Sequence, residues 1–157
     1  MEVKKHTIKL IVHNKPDVLA RIAGVFSGRG FNIESISANI TREPEVTKIR
    51  IVTKGDSSTV TKIQNQLKKL VDVQSVSHVR DSKYGQREMV LMRLKLTDEN
   101  RDNIMKMIDT CECKIVMKKG DYCVIEATGS VEDIQDLVNR FEPLGIEDLS
   151  RSGTVAL

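Results

Sequence analysis

One order of hydrophobic signals runs through this chain twice, and that repeat limits the folds open to it more than any other feature. In the first half, Ile8, Leu10 and Val12 alternate with Thr7, Lys9 and Ile11, the two-residue period of a strand with one clearly apolar face. Val18, Leu19, Ile22, Val25 and Phe26 follow helical spacing, with Pro16 near the first turn and Gly30 just past the end. Phe31 to Ile40 reads as a second strand, Arg42-Glu43-Pro44-Glu45 breaks it, and Val46 to Thr53 reads as a third. Gly55-Asp56-Ser57 supplies a turn and a cap for a helix carrying Val60, Ile63, Leu67 and Leu70. Val71 to Val79 closes the set as a fourth strand.

After Asp81-Ser82-Lys83-Tyr84-Gly85 the order recurs. Val90, Met92, Leu94 and Leu96 alternate with Met89, Leu91, Arg93 and Lys95, and Thr97-Asp98 is placed to cap a helix with Ile104, Met105, Ile108 and Cys111. Lys114 to Met117 and Tyr122 to Ala127 read as a hairpin around Lys119-Gly120-Asp121. Ser130 to Asp133 fits a capping box for a helix ended by Pro143 and Gly145, and Ile146 to Leu149 gives a last strand. Two βαββαβ units, residues 1–80 and 81–157, imply an α+β chain of two small two-layer domains. In such a unit both helices cover one face of an antiparallel sheet. Ile11, Ile33 or Ile36, and Val52 put apolar side chains on both faces, so the first domain is expected to pair with a second copy.

Composition narrows the functional classes. The 157 residues are 39% hydrophobic and 30% charged, the balance of a soluble globular protein, and with 3% aromatics and no Trp the cores rest on Val, Ile, Leu and Met. A net charge of +3, with lysine doublets scattered among acids, offers no stripe for nucleic acid. No apolar run approaches membrane-spanning length, and Met1 to His6 leads straight into a strand without a signal segment. Three cysteines make no disulfide framework, so a reducing cytoplasm is the expected setting.

The chemistry concentrates between Ile11 and Ile36. A strand runs into Asn14-Lys15-Pro16-Asp17, a helix follows, and Arg29-Gly30 stops it before Phe31-Asn32-Ile33. Unpaired helix-start amides beside two asparagines suit a small carboxylate. No nucleophile, base or metal set accompanies them. Cys111, Cys113 and Cys123 lack a nearby histidine, and His6, His13 and His78 lack a catalytic partner arrangement. Gly28 to Gly30 ends a helix where a phosphate loop would open one, and the methionines at 89, 92, 105, 107 and 117 read as core or interface filler.

Asn14-x-Pro16-x-Val18-Leu19-x-Arg21, followed by Phe26-Ser27-x-Arg29-Gly30-Phe31-Asn32-Ile33-Glu34-Ser35, resembles the start of the small regulatory subunit of acetohydroxyacid (acetolactate) synthase. The likeness continues through Gly55-Asp56, Gln66 to Val73, Arg87-Glu88 and Arg151-Ser152-Gly153, covering nearly the whole chain. It implies an N-terminal ACT domain and a C-terminal ferredoxin-like domain, so two tandem ferredoxin-like modules. It also implies a homodimer through the ACT domain, a branched-chain amino acid such as valine bound between the copies, and a catalytic subunit as partner. That partner would carry thiamine diphosphate, Mg and FAD, with no cofactor in this chain. Carried over by position, the ligand would meet Asn14, Pro16, Asp17, Val18 and Leu19 of one protomer and Asn32 and Ile33 of its neighbour. The amides around Asp17 to Leu19 would take the carboxylate, and Asn32 with the backbone near Ile33 would hold the ammonium or close the site. Val18, Leu19 and Ile33 would line the aliphatic pocket.

One position departs from the family, which usually has glycine where this chain has Asp17. An inward Asp17 would repel an anionic ligand, whereas an outward one would support the helix start. Arg151-Ser152-Gly153 reads either as an exposed tail or as a contact with the catalytic subunit or between domains. Two other classes share this fold: a stand-alone tandem sensor or transcriptional regulator, which would need a DNA-reading element, and an enzyme, which would need a convergent acid/base set.

Overall fold

Alternating apolar side chains oblige the first strand to turn one face to a core. In the computed structural model, which describes residues 3–79 and 86–156, β1 (Lys4–His13) does so: Ile8, Leu10 and Val12 are buried while Thr7, Lys9 and Ile11 are half-buried. By contacts the chain divides into two units, Met1–Ser82 and Lys83–Leu157. The break expected at Asp81 to Gly85 lies outside the described residues.

The first unit continues with α1 (Val18–Ser27), β2 (Ser35–Ile40), β3 (Val46–Gly55), α2 (Ser57–Leu67) and β4 (Val73–Val79). Its sheet has the order β2-β3-β1-β4 with antiparallel neighbours. Val18, Ile22 and Phe26 of α1 and Val60, Ile63 and Leu67 of α2 close over Ile8, Leu10, Ile49 and Ile51. Asp56 caps α2, accepting a 2.7 Å bond from the Thr59 amide, which holds its carboxyl below the usual range.

The second strand starts later than expected, at Ser35 rather than Phe31. Gly30, at φ +68°, turns the chain at the end of α1, and the Phe31 amide bonds back to the Phe26 carbonyl at 2.9 Å. The following residues are therefore committed to ending the helix. The open face also differs from expectation. Ile36 stands opposite Ile51 on the core side and Ile33 packs against the core, leaving Ile11 and Val52 on a face that also carries Lys9, Lys48 and Arg50.

The second unit runs β5 (Gln86–Lys95), α3 (Arg101–Thr110), β6 (Lys114–Lys119), β7 (Tyr122–Gly129), α4 (Val131–Phe141), a 3-10 turn (Glu142–Leu144) and β8 (Ile146–Arg151). The order is β6-β7-β5-β8, and a short β9 (Val155–Ala156), which the hydrophobic pattern does not signal, pairs with the start of β5. The Ser130–Asp133 capping box is formed. Thr97-Asp98 does not cap α3. Asn100 holds that position, and Thr97 instead exchanges bonds with Asn100 across the turn. Both units are ferredoxin-like α+β modules, each with its own core.

Arg151 is not a free tail. Its Nε and Nη2 each donate at 2.8 Å to the two oxygens of Glu88, itself only 5% exposed. That carboxylate holds the Arg151 guanidinium above its ordinary pKa. Met92 and Cys123 are buried in the second core, while Met89 and Met117 are exposed. Burial pushes the Cys113 thiol up to about 11, with Cys111 adding to the shift. Among the described residues no cluster is arranged to hold a metal, and no helix is long and apolar enough to cross a membrane.

Candidate functional site

The turn after β1 is held from two sides. The Asn14 amide donates to the Glu45 carbonyl at 2.7 Å and its side-chain Nδ2 to the Pro44 carbonyl at 2.9 Å, tying it to the β2–β3 turn. The His13 amide donates to the Asp72 carbonyl at 2.9 Å, and Lys15 Nζ lies 2.6 Å from Asp72 Oδ1, tying the same turn to the entry of β4. Asp72 is buried, with His13 Nδ1 at 3.6 Å and the Arg21 cation, Nη1, at 3.7 Å. The Lys15 hydrogen bond foremost, with the Lys15 and Arg21 charges, holds the Asp72 carboxyl below the usual range.

Asp17 precedes α1 at the cap position, yet its side chain makes no cap bond. Its carboxylate instead meets Arg21 Nη2 at 2.5 Å, one turn along the helix. The result is an α1 N-terminus with no side-chain cap and no acid in its first turn, beside Lys15 and Arg21. A helix end of that kind presents outward-pointing amides and positive potential, apart from the Val18 amide, which already donates to the Lys15 carbonyl at 3.3 Å. With Nδ2 committed to Pro44, Asn14 has Oδ1 as its acceptor toward a ligand.

The seven expected site residues do not meet within one chain. Asn14, Pro16 and Asp17 are exposed at the carboxyl end of β1, and Leu19 is 44% exposed beside them. Val18 is turned inward, 3% exposed, and belongs to the core. Asn32 and Ile33 precede β2, whose antiparallel pairing sets its start at the other end of β3. The ten residues of α1 separate the two groups by about 15 Å along the helix. The Asn32 carbonyl accepts from Thr53 Oγ1 at 2.7 Å, fixing that second half. The two expected groups thus lie at opposite ends of one helix. An open groove of about 430 Å³ lies along Asn39 to Glu43 and Lys48 and includes none of the seven.

Asp72, Arg21 and Lys15 carry no assigned role in the residue pattern alone. Two signals mark them: an acid inside the apolar run Leu70-Val71-Asp72-Val73, and the four-residue spacing of Asp17 and Arg21.

Comparison with known proteins covers both units. A family model described as the AHAS small subunit-like ACT domain matches residues 8–75, and one described as the small subunit of acetolactate synthase matches residues 87–157. The probable acetolactate synthase small subunit of Archaeoglobus fulgidus is 37% identical over 153 residues, 98% of this chain and 96% of that protein. The acetolactate synthase small subunit of Aquifex aeolicus is 32% identical across 99% of this chain and 82% of its own length. The crystal structure of the acetolactate synthase small subunit from Thermotoga maritima matches with a TM-score of 0.87 at 31% identity, covering 98% of this chain and 96% of that one.

Proposed function

The chain belongs to the acetolactate synthase small-subunit family, and from that premise we propose that it is a non-catalytic regulatory subunit that carries end-product control to its enzyme. Its partner is the thiamine-diphosphate-dependent catalytic subunit, which holds Mg and FAD as well and works with this chain in the cytoplasm. A free branched-chain amino acid, valine foremost, is the signal. Its carboxylate takes the uncapped amides at the start of α1, and Asn14 Oδ1 receives its ammonium together with Asn32 from a second copy. Leu19 and Ile33 meet the aliphatic side chain.

The observation that carries this reading is the position of Asp17. Engaged with Arg21, it leaves the helix end open and its own charge neutralised, so the departure from glycine does not close the carboxylate site. Control then follows by linkage: the amino acid binds one arrangement of the paired first domains more tightly, and the catalytic subunit is biased by that difference in affinity. The separation of the half-sites within one protomer favours a ligand shared between two copies.

Titration of valine, isoleucine and leucine against the reconstituted enzyme tests it. At least one inhibits the wild-type assembly. Arg21→Ala frees Asp17 to cap the helix or oppose the ligand carboxylate, and raises the half-inhibitory concentration about tenfold, in line with the strength of charge at a helix end. Asn14→Ala weakens feedback in the same direction while leaving the subunits associated. Inhibition unchanged in both variants contradicts this site, and turnover by the chain alone contradicts the regulatory role.

A further inference from the structure

One buried acid of the first unit faces cations on both sides of Asp17. Asp72 is 5% exposed and stands just before β4. Its Oδ1 takes Lys15 Nζ at 2.6 Å, and its Oδ2 faces Arg21 Nη1 at 3.7 Å. Lys15 precedes Asp17 in the turn, and Arg21 follows it one turn along α1. The other terminal nitrogen of Arg21, Nη2, meets Asp17 Oδ2 at 2.5 Å. Lys15, Asp72, Arg21 and Asp17 therefore form a chain of alternating charge, with His13 Nδ1 beside it at 3.6 Å from Asp72 Oδ1.

The exposed end of this chain is weak by itself. The side chains of Asp17 and Arg21 are 50% and 53% exposed, and an ion pair of that kind on a helix surface holds less firmly than an aspartate capping a helix. By local preference Asp17 would cap α1. Two other helix starts in the molecule show that arrangement. Asp56, at ψ 170°, accepts from the Thr59 amide, and Ser130, at ψ 168°, accepts from the Asp133 amide. Asp17 holds the same position at ψ −9° and caps nothing. The restraint that keeps it so lies outside the helix. A shielded carboxylate is screened less than an exposed one, so Asp72 anchors Arg21, and Asp17 follows Arg21. The same acid, through Lys15, fixes the turn that enters Asp17.

Resting on the amino-acid reading above, we infer that Asp72 is a positioning residue for the ligand site. Gripping Lys15 and Arg21, it keeps the Asp17 backbone helical and the Asp17 carboxylate on Arg21. The amides of Leu19 and Ala20, which a capping Asp17 would occupy, then stay open to the ligand carboxylate. Asp72 acts through Asp17 and does not itself touch the ligand. A chain with no side chain at position 17 has no need of the clamp.

A double-mutant cycle on the full chain separates this role from a merely structural one: wild type, Asp72→Asn, Asp17→Gly and the two together. Arg21→Gln, alone and with Asp17→Gly, breaks the chain of charge while leaving the buried acid in place. Valine binding is measured by calorimetry, and amide shifts are recorded without ligand. Asp72→Asn and Arg21→Gln each weaken valine binding about tenfold, the scale of one cap bond. In the Asp17→Gly background each costs less than about twofold. Without ligand, both single variants move the Leu19 or Ala20 amide proton downfield as the cap bond forms, and Asp17→Gly abolishes that shift. Equal losses in the two backgrounds overturn the proposal, since Asp72 would then serve the fold or the ligand directly. Full affinity in both single variants, or unmoved amides, overturns it too. If circular dichroism shows Asp72→Asn unfolded, the Arg21→Gln pair decides by the same criteria. A wild-type chain that binds neither valine, isoleucine nor leucine defeats the amino-acid reading, while the ligand-free amide shifts still judge the clamp.

Discussion

Where β1 meets α1 and where β5 meets α3, the chain makes the same connection with opposite equipment. The first turn leaves its helix uncapped, with no acid in the first turn of α1, and holds Asp17 away on Arg21. The second braces its turn within itself, although its cap residue Asn100 likewise makes no side-chain cap bond to α3. Thr97 N donates to Asn100 Oδ1 at 2.7 Å, Asn100 N donates to Thr97 Oγ1 at 3.2 Å, and Asn100 Nδ2 reaches the Lys95 carbonyl at 3.0 Å. Asp98 and Glu99 precede α3 and Asp102 sits in its first turn, so an incoming carboxylate meets negative charge there. The braces differ as well. The α2–β4 turn grips the first connection through the Asp72 carboxylate, whereas the Leu144 carbonyl of the 3-10 turn reaches Asn100 only as a neutral acceptor at 3.5 Å. Both helix starts therefore lack a side-chain cap and differ in charge: Lys15 and Arg21 stand beside α1, whereas acids surround the start of α3.

The largest effect comes from the Glu88–Arg151 pair, in which the carboxylate is buried and the guanidinium half-buried. Glu88→Ala strands Arg151 beside a buried position and destabilises the chain by about 3 kcal/mol, the scale of breaking a shielded ion pair. Denaturant unfolding followed by circular dichroism reads it. A loss below the experimental scatter would mean that the second unit does not depend on that pair.

A smaller effect separates the two braces by pH. The folded-state pKa of Asp72 lies below its unfolded value, so its contribution is present above the ordinary carboxylate range and is lost as pH falls through the folded value. Asp72→Asn removes that contribution. The variant is less stable than wild type at neutral pH, and the gap closes on acidification because wild type loses what the variant already lacks. A gap that stays constant, or widens, as pH falls contradicts the charged brace.

Most of the architecture was legible because it rests on local periodicity. The alternation around Ile8 to Val12 and the helical spacing of Val60, Ile63 and Leu67 are each contained within a dozen residues and answer to one buried face. The late start of β2 was not, because Phe31 returns to Phe26 to finish α1, a choice between two uses of one residue that hydrophobicity does not record. At the site, Asn14 and Asp17 were marked by type and position, but the orientation of Asp17 was open until Arg21 was placed against it. Asp72 escaped because it meets Lys15 across 57 residues of chain, and a tertiary ion pair has no period.

Amide chemical shifts of the labelled full-length chain, followed through a titration with valine, address the open helix end most directly. The expected perturbations centre on Asn14 and on Asp17 to Ala20, with a second set at Asn32 and Ile33, while the Thr97 to Asp102 turn stays still. Shifts centred on Thr97 to Asp102, or none between Asn14 and Ile33 for valine, isoleucine or leucine, would show that the uncapped start of α1 is not where an amino acid binds.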